Sequence, residues 1–289
     1  MKYLLLWLTI FMFVNVSRAQ IIDSLVDIEE ENPKEQNVWQ RFKYDGLTAY
    51  QGLKYTYSRP FHWKEKDFLT AGAFVASEAI LYSVDTNLNR YFQDQSPHAP
   101  QFLKDFGWYY GSPQNNYMAM GGVYLFGLFT NNQKVRRTGV LMISAASAAG
   151  LIQTITKNAI GRARPGTGDG KHFFKPFSKE GGYHSMPSGH SILSFTMAHA
   201  IAKQFDNIWV KSGIYAVGLV APVSRLWAGA HWATDIGAGI FISVVTVDAV
   251  DNFLFKERKY DVDVPYKQQR KISWHFTPGA GTIGFVGVF

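Results

Sequence analysis

Apolar positions gather into six stretches along the chain: 68–84, 117–130, 138–156, 191–202, 212–223 and 236–250. Each is long enough for a helix and rich in Gly, Ala and Ser, residues that let helices approach closely. The stretches 86–116, 161–189 and 203–211 between them are polar and contain Pro or Gly, and read as linkers. The pattern predicts an all-α bundle of six helices over residues 68–255. The C-terminal tail, 256–289, changes character. "KISWHFTPGAGTIGFVGVF" alternates apolar and polar positions around a Pro-Gly pair, which predicts a short β-hairpin.

A bilayer span needs about 20 apolar residues. Only 138–156, flanked by Arg136, Arg137 and Lys157, comes near that length, and the mean hydropathy of the chain is −0.10. The pattern leaves open a soluble bundle with buried helices, and favours one seated in or on a membrane.

The N-terminus bears on this choice. Met1-Lys2 is followed by an almost wholly apolar run from Tyr3 to Val16, and Ser17-Arg18-Ala19 places small residues at −3 and −1 before Gln20. This is the pattern of a secretory signal peptide, residues 1–19, and implies export to the cell envelope. No cysteine follows, so a lipoprotein anchor is not expected, and disulfides and thiolate metal sites are excluded. Residues 20–37 are acidic and read as a mobile lead-in. Residues 38–67 interleave Trp39, Phe42, Tyr44, Tyr50, Tyr55, Tyr57, Phe61 and Trp63 with Arg41, Lys43, Lys54, Arg59, Lys64 and Lys66. Such a mixture suits the water–lipid boundary. The net charge of +7 admits nucleic acid, an anionic membrane or a phosphorylated substrate as partner. The basic residues are scattered rather than run together, which argues against nucleic acid.

Three short motifs carry the candidate chemistry. In "KNAIGRARP" Lys157 ends an apolar stretch and Arg164-Pro165 follows. In "HSMPSGHSILSF" Pro187-Ser188-Gly189-His190 stands at the start of a helix, with Ser188 suited to cap it. In "SRLWAGAHWATD" Ser224-Arg225 precedes His231 and Asp235. At a helical i, i+4 spacing Asp235 can hold the Nδ1 proton of His231 and leave Nε2 as a nucleophile. Guanidinium groups bind phosphate oxygens in fork fashion, and the backbone N–H groups of a helix start add donors. Lys157, Arg164, Arg225, Ser188 and Gly189 are therefore the expected phosphate-binding set. His231 is the expected nucleophile, His190 the acid that protonates the leaving oxygen, and Asp235 the partner of His231. This set needs no metal or other cofactor. His172 and His184 sit in the loop before the second motif and read as solvated. His199 reads as a packed helix residue, and no partners are evident for His62, His98 and His275. Arg162 falls within the first motif without an assigned role.

Together the three motifs, Lys-x6-Arg-Pro, Pro-Ser-Gly-His and Ser-Arg-x5-His-x3-Asp, resemble the signature of the type-2 phosphatidic acid phosphatase superfamily, which includes bacterial acid phosphatases and vanadium haloperoxidases. The resemblance implies a six-helix fold, a histidine nucleophile and, in the phosphatases, no metal. The expected activity is hydrolysis of lipid phosphomonoesters or diphosphates on the periplasmic side of a membrane, with a phosphorylated lipid or isoprenoid as substrate. A soluble periplasmic acid phosphatase of broad specificity is the alternative. Haloperoxidases are typically much longer.

Overall fold

The computed structural model describes residues 37–257, together with the backbone of 273–279 and 282–288. The expected signal peptide (1–19) and the lead-in up to residue 36 lie outside the described residues. The chain divides into two units, Met1–Lys259 and Tyr260–Phe289.

The first unit is all-α. Among the described residues it has eight α-helices: α1 (Val38–Ser58), α2 (Glu65–Gln95), α3 (Gln101–Tyr110), α4 (Pro113–Phe129), α5 (Gln133–Ile160), α6 (Gly189–Ala202), α7 (Ile208–Trp227) and α8 (Ala233–Asn252), the last continued by a π-turn, Phe253–Glu257. The six expected helices are present as α2 and α4–α8. The expected count of six is corrected to eight by α1 and α3. α3 occupies ten residues of the stretch read as a linker, between Pro100 and Gly111.

α1 is hidden in the sequence for another reason: its pattern is inverted. The buried positions are Asp45, Thr48, Gly52 and Thr56, at helical spacing, while Trp39, Phe42, Leu47 and Tyr50 are exposed. A polar, small-residue stripe packs on α5 and on the end of α8, with Gly52 against Val250 and Phe253, while Trp39, Phe42 and Tyr50 face outward. The stripe is tied down where Asp45 accepts the Tyr124 hydroxyl and meets Arg136.

α6 occupies the centre, packed against α5, α7 and α8, and ten of its fourteen residues are buried. Small side chains make this close packing feasible. Ala145, Ala146, Ala148 and Ala149 of α5 and Ala198, Ala200 and Ala202 of α6 are all buried. A Cβ on Gly218 of α7 would stand 2.5 Å from that of Ala198.

Three helical segments are long and apolar enough to cross a bilayer: Glu65–Gln95, Gln133–Ile160 and Ala233–Lys256. The apolar cores at 68–84 and 236–250 look short in sequence because polar turns extend each helix at its ends. α2 turns Phe68, Leu69, Val75, Ile80 and Val84 outward, and its single buried residue is Asp85.

The second unit holds the predicted hairpin. β1 (Ser273–Gly279) pairs antiparallel with β2 (Thr282–Val288), Ser273 opposite Val288 and Gly279 opposite Thr282. Pro278 and Gly279 thus belong to β1 rather than to the turn.

Candidate active site

The site forms where the end of α5, the start of α6 and the α7–α8 turn meet. α5 stops at Gly161, whose φ of +62° is left-handed and whose position leaves no room for a Cβ, since one would lie 2.0 Å from the Lys175 carbonyl oxygen. The chain then runs extended and is sewn to the loop that follows. The Ala163 N–H donates to the Phe173 carbonyl, Arg164 N–H to Gly182 and Ser185 N–H to Arg162. Ser188 caps α6, its hydroxyl accepting the Ser191 N–H, and its own N–H donates to the Asp235 carbonyl at 2.8 Å. The α6 start is thereby pinned to the first turn of α8.

Lys157, Arg164 and His231 gather around one carbonyl cluster. Lys157 Nζ donates to the His184 carbonyl at 2.6 Å. Arg164 donates to the carbonyls of Gly181, Ala230 and His184, and its Nη1 lies 3.4 Å from His231 Nε2. A guanidinium has no acceptor, so His231 must present the lone pair of Nε2 to it. That assigns the proton to Nδ1, which lies 3.5 Å from Asp235 Oδ2 without forming a hydrogen bond. This tautomer leaves a lone pair on Nε2, the nitrogen nearer Arg164.

His231 precedes the helix. It lies two residues before α8, and Asp235 is the third residue of that helix, where its Oδ2 accepts the backbone N–H of the N-cap Trp232 at 2.8 Å. The expected i, i+4 pair on one helix face is therefore corrected. A capped helix start holds Asp235, and the turn before it delivers His231.

On the other side, Arg225 and His190 share Trp108 of α3. The Arg225 guanidinium lies 4.6 Å from the Trp108 ring and the His190 ring 5.5 Å from it. His190 Nε2 is buried and has no hydrogen-bond partner among the described residues. Gly189 has a different neighbour from the one expected. A Cβ there would lie 2.7 Å from the Gln153 amide nitrogen, so the glycine admits Gln153 of α5. Gly111 does the same for His190, whose Cδ2 would stand 2.7 Å from a Cβ at that position.

The charge balance of this buried cluster is positive. Arg162, 1% exposed, forms ion pairs with both Asp85 at 2.9 Å and Asp235 at 2.7 Å. That leaves Lys157, Arg164 and Arg225 without a carboxylate of their own among those pairs. Burial, reinforced by Lys157 and Arg164, pushes the His231 imidazole down to about 4 despite the nearby Asp235 carboxylate. Burial, with Arg225 and His231 adding to it, likewise pushes His190 down to about 4. Arg164 is also lowered, mainly by burial. Three cations, two neutral imidazoles and a capped helix start suit a multiply charged anion. No group of three or more His, Asp or Glu side chains able to hold a metal ion occurs among the described residues.

All eight sequence-derived residues thus lie at this junction: Lys157, Arg164, Ser188, Gly189, His190, Arg225, His231 and Asp235. The remaining described histidines lie elsewhere or serve the scaffold. His184 offers its carbonyl to the cations while its ring meets the Ser178 carbonyl. His172 meets the Tyr82 hydroxyl, and His199 bonds Tyr215 and Asp248. Sequence reasoning missed Asp85, Thr234, Ser185 and Trp108, and gave Arg162 no place. One signal was available: Asp85 is an ionisable residue late in a helix long and apolar enough for a membrane, where such groups mark function.

Fold and site together define a helical protein with a buried cluster of cationic and histidine side chains at one helix junction. Residues 138–259 match the model of the PAP2 superfamily, and this segment carries all three motifs, as the resemblance implied. Over 109 residues the chain is 33% identical to lipid A 1-phosphatases of Rhizobium etli and Rhizobium johnstonii, covering 35% of this chain and 44% and 42% of those proteins. The chain thus spans less than half the length of these curated relatives. Two solved structures are similar. One is LpxE of Aquifex aeolicus, with a TM-score of 0.43 and 16% identity, over 58% of this chain and 95% of that one. The other is the transmembrane PAP2-type phosphatidylglycerolphosphate phosphatase of Bacillus subtilis, with a TM-score of 0.47 and 19% identity, over 63% and 94%.

Proposed function

We propose that this protein is a metal-independent phosphatase that hydrolyses phosphomonoesters or diphosphates of membrane lipids through a phosphohistidine. The observation that carries this reading is the buried cluster itself: His231 with Nε2 3.4 Å from Arg164 and Nδ1 3.5 Å from Asp235, among cations that form no ion pair with a carboxylate among the described residues.

His231 Nε2 attacks phosphorus as the bond to the leaving oxygen breaks, and His190 in its protonated form gives its proton to that oxygen. A bound phosphate dianion favours that protonated form by offsetting the neighbouring cations. Lys157, Arg164, Arg225, the Ser188 hydroxyl and the Gly189 N–H bind the equatorial oxygens. Water then attacks phosphorus, His190 takes a proton from it, and the P–N bond breaks to release phosphate and restore both histidines. Asp235 steadies the imidazolium character that His231 gains.

The outward aromatic side of α1 and the apolar exterior of α2 support a substrate whose chains stay in lipid while its headgroup enters the pocket. The relatives' named substrate favours lipid A bearing a 1-phosphate among such lipids. Residues 1–19 serve as export signal, and the pocket faces the periplasm. The test is phosphate release by the full chain in detergent from lipid A, phosphatidate, an isoprenyl diphosphate and short soluble esters, with and without a chelator. We expect chelator-resistant release from lipid substrates and an acid-labile phosphoenzyme that is absent in His231→Ala. Chelator-sensitive activity restored by Mg²⁺ overturns the mechanism, and equal rates on soluble esters overturn the lipid assignment.

A further inference from the structure

Arg162 and Asp85 form a buried clamp on the carboxylate that backs the nucleophile. Arg162 Nη1 donates to Asp235 Oδ1 at 2.7 Å and to Thr234 Oγ1 at 2.6 Å, and Nη2 donates to Asp85 Oδ2 at 2.9 Å. Asp85 reaches from α2 to the start of α8, where its Oδ1 accepts the Thr234 N–H at 3.1 Å and its Oδ2 accepts the Thr234 hydroxyl. The guanidinium is held between the rings of Tyr82 and Trp232, at 5.1 and 5.6 Å. Exposure of Asp85, Asp235 and Arg162 is 0, 0 and 1%. A fork fixed at both ends cannot rotate. It occupies Oδ1 of Asp235, while Ser185 and the Trp232 N–H hold Oδ2 on the edge nearest His231 Nδ1.

We propose that Asp85 and Arg162 are positioning residues that act through Asp235 to orient and polarise His231; this rests on the phosphatase reading above. Asp85 has a second effect. It shares the charge of Arg162, so that less of that charge falls on Asp235 and more negative potential remains for the His231 imidazolium. Neither residue touches the expected phosphate ligands Lys157, Arg164 or Arg225 in any hydrogen bond or ion pair of the described residues. Losing the clamp should therefore slow the chemical step and spare binding.

The experiment uses the full chain in detergent and measures kcat and KM on a lipid phosphomonoester for wild type, Asp85→Asn, Asp235→Asn and the double variant. The near-isosteric Asp85→Asn is expected to lower kcat by about 10- to 100-fold with KM within about twofold. In the Asp235→Asn background the same change should cost less than about twofold, because the group it acts through is already gone. Asp248→Asn, which breaks ion pairs to Lys203 and His199 outside the site, is the control for general loosening and should keep wild-type kcat. If Asp85→Asn does not fold, Arg162→Lys enters the same cycle, since one ammonium cannot span both carboxylates. An unchanged kcat, a raised KM with kcat intact, or an equal loss in both backgrounds overturns the clamp. Wild-type activity in His231→Ala would instead overturn the phosphatase reading, so the two failures are distinguishable.

Discussion

Both histidines are pushed down to about 4, which fixes the shape of the pH profile. In the proposed mechanism the productive complex combines neutral His231, protonated His190 and the phosphate dianion, whose second pKa is about 6. With both histidines at about 4, the loss of dianion on going from pH 6 to 4.5 is offset by the gain in protonated His190. The product of the three fractions then stays the same within about twofold. With both histidines at the ordinary value of about 6.5, the same change protonates His231 as well, and the product falls by about 300-fold. Above pH 6 the depressed values predict a loss of about tenfold per pH unit, as protonated His190 becomes scarce in the free protein. The assay is kcat/KM on a phosphomonoester in detergent from pH 4 to 8, with brief exposure at the acid end. A plateau between about pH 4.5 and 6 is expected. A steep collapse below pH 6 would refute the reasoning that burial and the neighbouring cations hold His231 neutral.

Acid should also weaken the fold. A histidine whose folded value lies below its unfolded one costs nothing above about pH 6.5, and destabilises progressively as the pH falls toward 4. For His231 the shift to about 4 amounts to about 3 kcal/mol at pH 4 and below. Thermal melts of wild type and His231→Asn should converge with rising pH and diverge toward pH 4, and parallel curves would contradict this. Asp235→Asn should lower kcat by about 10²- to 10⁴-fold, because the amide no longer fixes the Nδ1 proton of His231; single-turnover kinetics would show the loss in phosphoenzyme formation. Gly111→Ala should fold yet lose at least about tenfold in kcat, because the added methyl drives into the His190 ring. Vanadate should inhibit competitively against the lipid substrate, and Arg164→Ala should weaken that inhibition at least about tenfold, as read from initial rates.

How much of this was legible in the sequence varies with the physical origin of each feature. The six apolar stretches correspond to α2 and α4–α8, because burying an apolar helix leaves a contiguous run of residues that composition alone reveals. The three motifs likewise named eight residues that converge, since each is local: a helix end, a capped helix start and a turn, each with its spacing written along the chain. The hairpin at 273–288 followed from alternation. α1 was not legible as a helix because it buries Asp45, Thr48, Gly52 and Thr56 and exposes Trp39, Phe42 and Tyr50, the reverse of the pattern that marks a helix in water. The placement of His231 ahead of α8 was missed because a spacing of four fits a helix face and a capped turn equally well. Only the tertiary structure decided the partners of Asp235. Asp85 lies 77 residues before Arg162, and Arg162 lies 73 before Asp235. No local spacing records that α2, the loop after α5 and the start of α8 meet. Their meeting is forced by charge burial: an arginine 1% exposed is tolerable only against carboxylates, and the fold must bring both of them to it.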